Sequence, residues 1–214
     1  SPFSASEQTP SIAVLTDGNY AVSWLHDQKV YARCYTVDQQ AINQVFQVSN
    51  HDGVNNLQTA SLSNNGFVVV WRQKSTVYGQ IYNQMCQPDT EVLEMGEWQR
   101  RFSLIGLKQQ DGFVIGYQSS TYNDNSHYDQ YLGDLSFQHY TAGGVPGKSA
   151  SIASYSYTIS DPDHSTSYSF NDWQIAALQQ GGFVFGWVRQ TSTYLDIVPG
   201  EPAETSYASS LSMR

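Results

Sequence analysis

The sequence predicts an all-β protein of four antiparallel β-sheet repeats, each about 46–48 residues long, with an insertion in the third. Three observations carry this. A short word recurs four times: Ala13-x-Leu15 before Gly18-Asn19 and Trp24, Ala60-x-Leu62 before Asn65-Gly66 and Trp71, Ile105-x-Leu107 before Asp111-Gly112 and Tyr117, and Ala176-x-Leu178 before Gly181-Gly182 and Trp187. The turn pairs begin at residues 18, 65, 111 and 181, so steps of 47 and 46 residues are followed by one of 70, which marks an insertion and not a lost register. The strand after each turn is apolar on both faces, the pattern of a strand buried on both sides.

The elements follow in order. Residues 1–10 have a linker's composition and are expected as an arm or as a strand that closes the structure on its last repeat. Repeats are then expected at about residues 8–56, 57–103, 104–172 and 173–214 of one domain, 1–214. In each, a tight hairpin leads into the aromatic strand, Asn65-Gly66 being the strongest turn signal because both residues tolerate positive φ. Side chains alternate along a strand. Phe67, Val69 and Trp71 therefore share one face, as do Tyr20, Val22 and Trp24, Phe113, Ile115 and Tyr117, and Phe183, Phe185 and Trp187. The opposite faces are slimmer: Ala21 and Ser23, Val68 and Val70, Val114 and Gly116, Val184 and Gly186. Sheets stacked so that one bulky side meets its neighbour's slim side satisfy both, with Trp24, Trp71, Tyr117 and Trp187 as the anchors of the repeat.

A third strand is expected at Val30–Cys34, Val77–Ile81, His127–Tyr131 and Thr193–Ile197, and a fourth at Val45–Val48 and, more faintly, Glu91–Leu93. The insertion is placed at roughly residues 118–172. Gln118–His127 reads as a polar excursion, Ala142–Gly147 as a turn, Ser151–Ile159 as an added strand or hairpin, and Asp161–Phe170 as a loop. The last repeat has a poorly specified outer strand, and an unfinished edge invites pairing with residues 1–10 or with another copy.

Composition narrows the function. Lys and Arg number 10 against 19 Asp and Glu, a formal charge of −9, so the clustered cations that bind phosphate are missing and nucleic acid is not an expected partner. No run of 18 apolar residues is present, so no membrane-inserted helix is expected. The chain opens Ser1-Pro2-Phe3 without Met, as a processed chain or a piece of a larger one would. With 15 Tyr and only 14% charged residues, the surface is polar but weakly charged, in the style of extracellular or cell-surface modules. Cys34 and Cys86 lie on neighbouring repeats and either form a bridge in an oxidising compartment or stand as two separate thiols.

The pattern Ala-x-Leu-x-[Asp/Asn]-Gly-x-x-Val-x-x-Trp, followed by a Val-Tyr-Gly-Gln-x-Tyr strand, is carried by Ser11–Val48 and Thr59–Glu91, and more loosely by Ile105–Tyr131 and Ile175–Ile197. It resembles the repeat of large bacterial and protist surface proteins of adhesin type. That resemblance implies β-propeller-like blades and an extracellular adhesion, matrix or fibre role, and supplies no catalytic residues. Tyr117 in place of Trp, and Gly116 and Gly186 in place of Val, depart from it.

No Gly-x-Ser-x-Gly elbow, His-Glu-x-x-His pair, phosphate loop or dinucleotide fingerprint is present, so the chain is not expected to be an enzyme or to carry a cofactor. Its expected partners are other protein chains, copies of itself included. The alternative is a lectin-like glycan binder, with Trp98, Tyr122, Tyr128 and Tyr168 as stacking platforms and Asp124, Asn125 and Asp161 accepting sugar hydroxyls. Asp161, Asp163 and His164 bring hard and borderline ligands within four positions, the raw material of a calcium or other cation site in what is otherwise a solvated loop.

Overall fold

The computed structural model describes residues 8–50, 52–97, 101–109, 112–125, 128–159, 164–195 and 204–213. Among them there is no helix, and fifteen strands form four antiparallel sheets. The first sheet holds β1 (Gln8–Val14), β2 (Tyr20–His26), β3 (Lys29–Tyr35) and the two-residue β4 (Phe46–Gln47). The second holds β5 (Val54–Ser61), β6 (Phe67–Gln73), β7 (Thr76–Tyr82) and β8 (Leu93–Glu97). The third holds β9 (Phe102–Gly106), β10 (Phe113–Asn125), β11 (Tyr128–Tyr140) and β12 (Pro146–Ile159). The fourth holds β13 (His164–Ala177), β14 (Phe183–Leu195) and β15 (Glu204–Met213). Each sheet is a meander in chain order.

The hairpins form where expected, but not as two-residue turns. Asn65 N donates to Leu62 O (3.3 Å) and Leu62 N to Gly66 O (2.9 Å), so three residues form the loop and Asn65 alone takes the left-handed conformation, φ 66°. Gly18 (φ 86°) and Gly181 (φ 93°) hold the same place. This is the three-residue hairpin in which a type I turn ends on one left-handed residue. A second turn of the same build joins the third and fourth strands of the first three sheets, at Thr36–Gln40, Asn83–Gln87 and Thr141–Val145. There the opening Thr or Asn side chain accepts from the closing amide at 3.1 Å in all three.

Several boundaries differ from expectation, for one reason. The four strands from β10 to β13 run 13 or 14 residues, against seven for β2, β3, β6 and β7. The long third step is thus strand extension. Gln118–Asn125 continues β10, Ser151–Ile159 belongs to the fourth strand of the third sheet, and the fourth sheet starts at His164, not near residue 173. In the fourth repeat Thr193–Leu195 still belongs to β14, and the third strand is Glu204–Met213. Ser-, Thr- and Tyr-rich sequence reads as loop, yet Thr and Tyr favour extended backbone. Where a strand is open to solvent, as at the exposed Pro146–Ser151, it needs no apolar alternation. Residues 8–10 enter β1, with Gln8 opposite Leu25, and do not close the last sheet.

The sheets pack face to face in chain order. Sheets one and two share a core of Ala13, Ala21, Val30, Ala32 and Cys34 against Phe67, Val69 and Trp71. Sheets two and three share Val68, Val70 and Val77 against Phe113 and Ile115, with half-buried Tyr117. Sheets three and four share Val114 and Leu135 against Trp173 and Phe185, with Phe183 and Trp187 packed on. In every case the bulky face looks back to the preceding sheet and the slim face forward. Phe67, Phe113 and Val70 are completely buried, and truncating one such Phe to Ala costs about 3–5 kcal/mol.

The first strands lie side by side at these interfaces and are tied by polar groups. Thr59 N donates to Ser11 Oγ (2.8 Å), and the Ser23 and Thr59 hydroxyls share a hydrogen bond. Gln58 donates through Nε2 to Phe102 O and accepts through Oε1 from Leu104 N, both at 2.8 Å. Cys34 and Cys86 form a disulfide that joins β3 to the turn after β7, which settles the two options left open by the sequence.

Candidate interaction surface

Among the described residues, one bulky face has no sheet in front of it. On the first sheet Ala13, Ala21, Leu25 and Ala32 turn inward and are buried, so the alternate residues must face out. Ile12 is 59% exposed and Val14 63%, and Tyr20, Val22, Tyr31 and Tyr35 are half-buried. Tyr20 stacks on Tyr35 with ring centroids 5.3 Å apart, and Trp24 on Tyr31 at 6.4 Å. The same cross-strand pairs recur inside the stack as Phe67–Tyr82 (5.0 Å), Trp71–Tyr78 (6.2 Å) and Phe113–Tyr140 (5.1 Å). There the preceding sheet covers them. The Tyr140 hydroxyl donates to Met95 O at 2.6 Å, and burial, with a smaller contribution from Tyr117, pushes its pKa up to about 12. Burial pushes Tyr82 higher still.

The last sheet leaves the complementary face open. Ala176 and Leu178 are exposed, Val184, Gly186 and Val188 are half-buried, and β15 is an edge strand of a three-stranded sheet.

Two grooves complete the surface. One of about 550 Å³ crosses the third sheet, lined by Ser119, Thr121, Asp134, Ser154, Tyr155 and Ser156 among others. Asp134 accepts from the Ser136 and Ser151 hydroxyls. Its charge, after burial, helps to raise the Tyr117 pKa, against a Ser136 hydrogen bond that lowers it. The other groove, of about 510 Å³, lies between the outer strands of sheets one and two, with Phe46, Tyr82, Gln47 and Gln80 in its walls.

No family model matches the sequence. No curated protein matches it either. Among solved structures the chain is similar to one from a study of two prolyl endopeptidases, at 12% identity over 84% of this chain and 24% of that one, with a TM-score of 0.38. Two structures of prolyl oligopeptidase B from Galerina marginata, bound to 25mer and 35mer substrates, are similar at 10% and 9% identity. They match over 86% of this chain and 30% and 31% of theirs, each with a TM-score of 0.29. The chain spans less than a third of the length of these proteins, and likenesses this loose carry nothing about its activity.

Four of the residues expected to bind a ligand share one hairpin. Tyr122, Asp124, Asn125 and Tyr128 fall on the outer part of the β10–β11 hairpin, opposite Tyr131, Asp129, Tyr128 and Asn125 respectively. Tyr168 is on β13 of the next sheet, opposite Thr191, and Trp98 lies outside the described residues. Asp161 and Asp163 also lie outside them, while His164 opens β13 opposite Leu195 in place of sitting in a loop. Among the described residues no three His, Cys, Asp or Glu come together to hold a metal ion. Of the repeat anchors, Trp71 is buried, Tyr117 and Trp187 pack on the inter-sheet cores, and Trp24 lies half-buried on the outer face of the first sheet. Asp134 and Tyr155 were not singled out by sequence. The available signal was Gly133 within a strand, the mark of a close approach: a Cβ there would meet the Tyr155 ring at 2.1 Å.

Proposed function

We propose that this chain is a non-catalytic interaction module of an extracellular or cell-surface protein, of adhesin, matrix or fibre-subunit type. Its four sheets act as propeller-like blades, and it engages other protein chains through its open end face and outer β-edges. The observation that carries the reading is the first sheet's outer face, where Ile12 and Val14 are 59% and 63% exposed beside a ladder of stacked rings. A contiguous apolar patch of this kind marks an interaction site on a soluble surface. The inter-sheet disulfide suits an oxidising compartment.

Two measurements test this. Antibody should label the protein on unpermeabilised cells of its source; labelling only after permeabilisation removes the extracellular assignment. Bead-bound protein should retain surface-matrix material, the Ile12→Glu/Val14→Glu pair should abolish retention, and Lys74→Glu, in the exposed β6–β7 turn, should not. Equal retention by all three removes the face from the function.

The groove over Asp134 favours a second reading, a lectin-like module. A carboxylate and the hydroxyls of Ser119, Thr121 and Ser154 on one concave surface are what a sugar needs for hydrogen bonds. A glycan array with hits that disappear in Asp134→Ala supports it, and an array without hits ends it.

A further inference from the structure

We propose that a second copy of this chain docks head to tail on the first, the bulky face of its first sheet seated on the slim face of the other copy's fourth sheet. This rests on the interaction-module reading and names the partner of its open face.

Three interfaces inside the chain share one polarity, bulky face against slim face, and the two faces left over at the ends of the stack are one of each kind. The fit is visible at a single seat. On the third sheet a Cβ at Gly116 would come within 2.8 Å of Phe185 Cζ and 3.0 Å of Trp173 Cζ3, so the missing side chain is where the fourth sheet's ring sits. Gly186 holds the same place on the fourth sheet, and among the described residues a Cβ there meets nothing within 4 Å. The group that would fill it is Val22, which pairs with Ile12 across β2 and β1 as Phe185 pairs with Ile175 across β14 and β13. Ile175 is 7% exposed and Ile12 59%. Within the chain the two end faces do not meet: the described cores join sheets one to two, two to three and three to four, and none joins four to one. Because each copy carries both faces, the contact is heterologous and propagates into a ring or a filament. Two chains of formal charge −9 repel, so this contact strengthens as salt is added, the reverse of charge-driven binding.

The test uses single-cysteine additions that keep the Cys34–Cys86 bridge. Mixed under oxidising conditions, Val22→Cys protein and Gly186→Cys protein should give a disulfide-linked pair that neither gives alone. In sedimentation the weight-average mass should rise with concentration. Val14→Glu and Gly186→Arg should each weaken that association at least about tenfold while the melting temperature of dilute protein does not fall. A mass fixed at one chain across the concentration range overturns the proposal. So does a Val22→Cys/Gly186→Cys double variant that links within a single chain, since the fourth sheet would then meet its own first sheet. Either failure leaves the module reading to the retention assay, whose ligand is surface material and not this chain.

Discussion

Gly116 and Gly186 occupy the same position on consecutive sheets, and the stacking order makes the same substitution act in opposite ways at the two. At Gly116 an alanine Cβ would stand 2.8 and 2.9 Å from two atoms of the Phe185 ring and 3.0 Å from Trp173. Neither ring has room to yield: Phe185 and Trp173 are each 1% exposed and stack on one another at 6.1 Å, with Phe183 edge-on to Phe185 at 5.9 Å. Forcing a methyl into a packed core of this kind costs about 1–3 kcal/mol. At Gly186 the methyl meets nothing among the described residues, and loss of glycine's freedom in the unfolded chain stabilises by about 0.4–1 kcal/mol. The two variants should therefore differ by about 1.4–4 kcal/mol in urea unfolding. At this chain length that is roughly 3–16 °C between their melting temperatures. The measurement belongs at low protein concentration, where the end face is unoccupied. If Gly116→Ala and Gly186→Ala shift stability equally, the third and fourth sheets are not stacked as described and the argument for a seat at Gly186 fails with them.

Three further outcomes follow from the inter-sheet contacts. The Cys34–Cys86 bridge closes a loop 52 residues in length, for which chain entropy gives about 4 kcal/mol as an upper estimate; thermal melts with and without reductant should show a clear loss, and identical melts would mean the bridge constrains nothing. Asn65 donates through Nδ2 to Asp17 Oδ2 at 2.9 Å, and that bond is the main reason the Asp17 carboxyl titrates below its ordinary value. Asn65→Gly keeps the left-handed turn but should let the Asp17 pKa rise towards normal in an NMR titration, and no change would assign the shift elsewhere. Tyr140 is raised to about 12 and Tyr82 is raised as well, both by burial, so both stay neutral in the folded protein above the pH at which unfolded tyrosines ionise. Their contribution is complete below about pH 10 and is lost as pH rises from there towards 12, on the order of 2 kcal/mol for Tyr140. The alkaline fall should flatten in Tyr140→Phe, and an unaltered slope would remove Tyr140 from it.

Much of the stack was legible in the sequence because burial on both faces leaves a direct mark. The alternation of Phe67, Val69 and Trp71 with Val68 and Val70 places β6 between two sheets before any coordinates are known, and the left-handed position at Gly18, Asn65 and Gly181 fixes the hairpins. The extent of β10 to β13 was not legible, since a strand that meets solvent loses the apolar alternation by which strands are read, and Gln118–Asn125 then looks like any polar loop. Nor could alternation say which neighbour each face meets. That direction decides whether Cys34 and Cys86 approach, and it comes only from the order of packing. Of the candidate site, the aromatic face of the first sheet was written in Tyr20, Val22 and Trp24, but its exposure depended on no sheet lying in front of it. Asp134 and Tyr155 sit on adjacent strands, and only the β11–β12 register, which puts Gly133 opposite Tyr155 and Asp134 opposite Ser154, shows that their side chains leave the sheet on opposite faces.

The direction of packing also constrains how such a chain associates. A two-fold dimer through the first sheet would set Ile12, Val14 and Tyr20 against their own equivalents, bulky side on bulky side, a pairing that none of the three internal interfaces uses. It would also leave the slim face at Gly186 uncovered. A head-to-tail contact repeats the geometry that the chain already makes three times, and places a first-sheet residue, Val22, where Phe185 sits at the third interface. Val22 is smaller than Phe185, so this contact fills its seat less completely than the one at Gly116 and is weaker than the packing within a copy. Val22→Phe in an otherwise unaltered chain should therefore lengthen the assemblies, and shorter ones would mean that Val22 does not face Gly186.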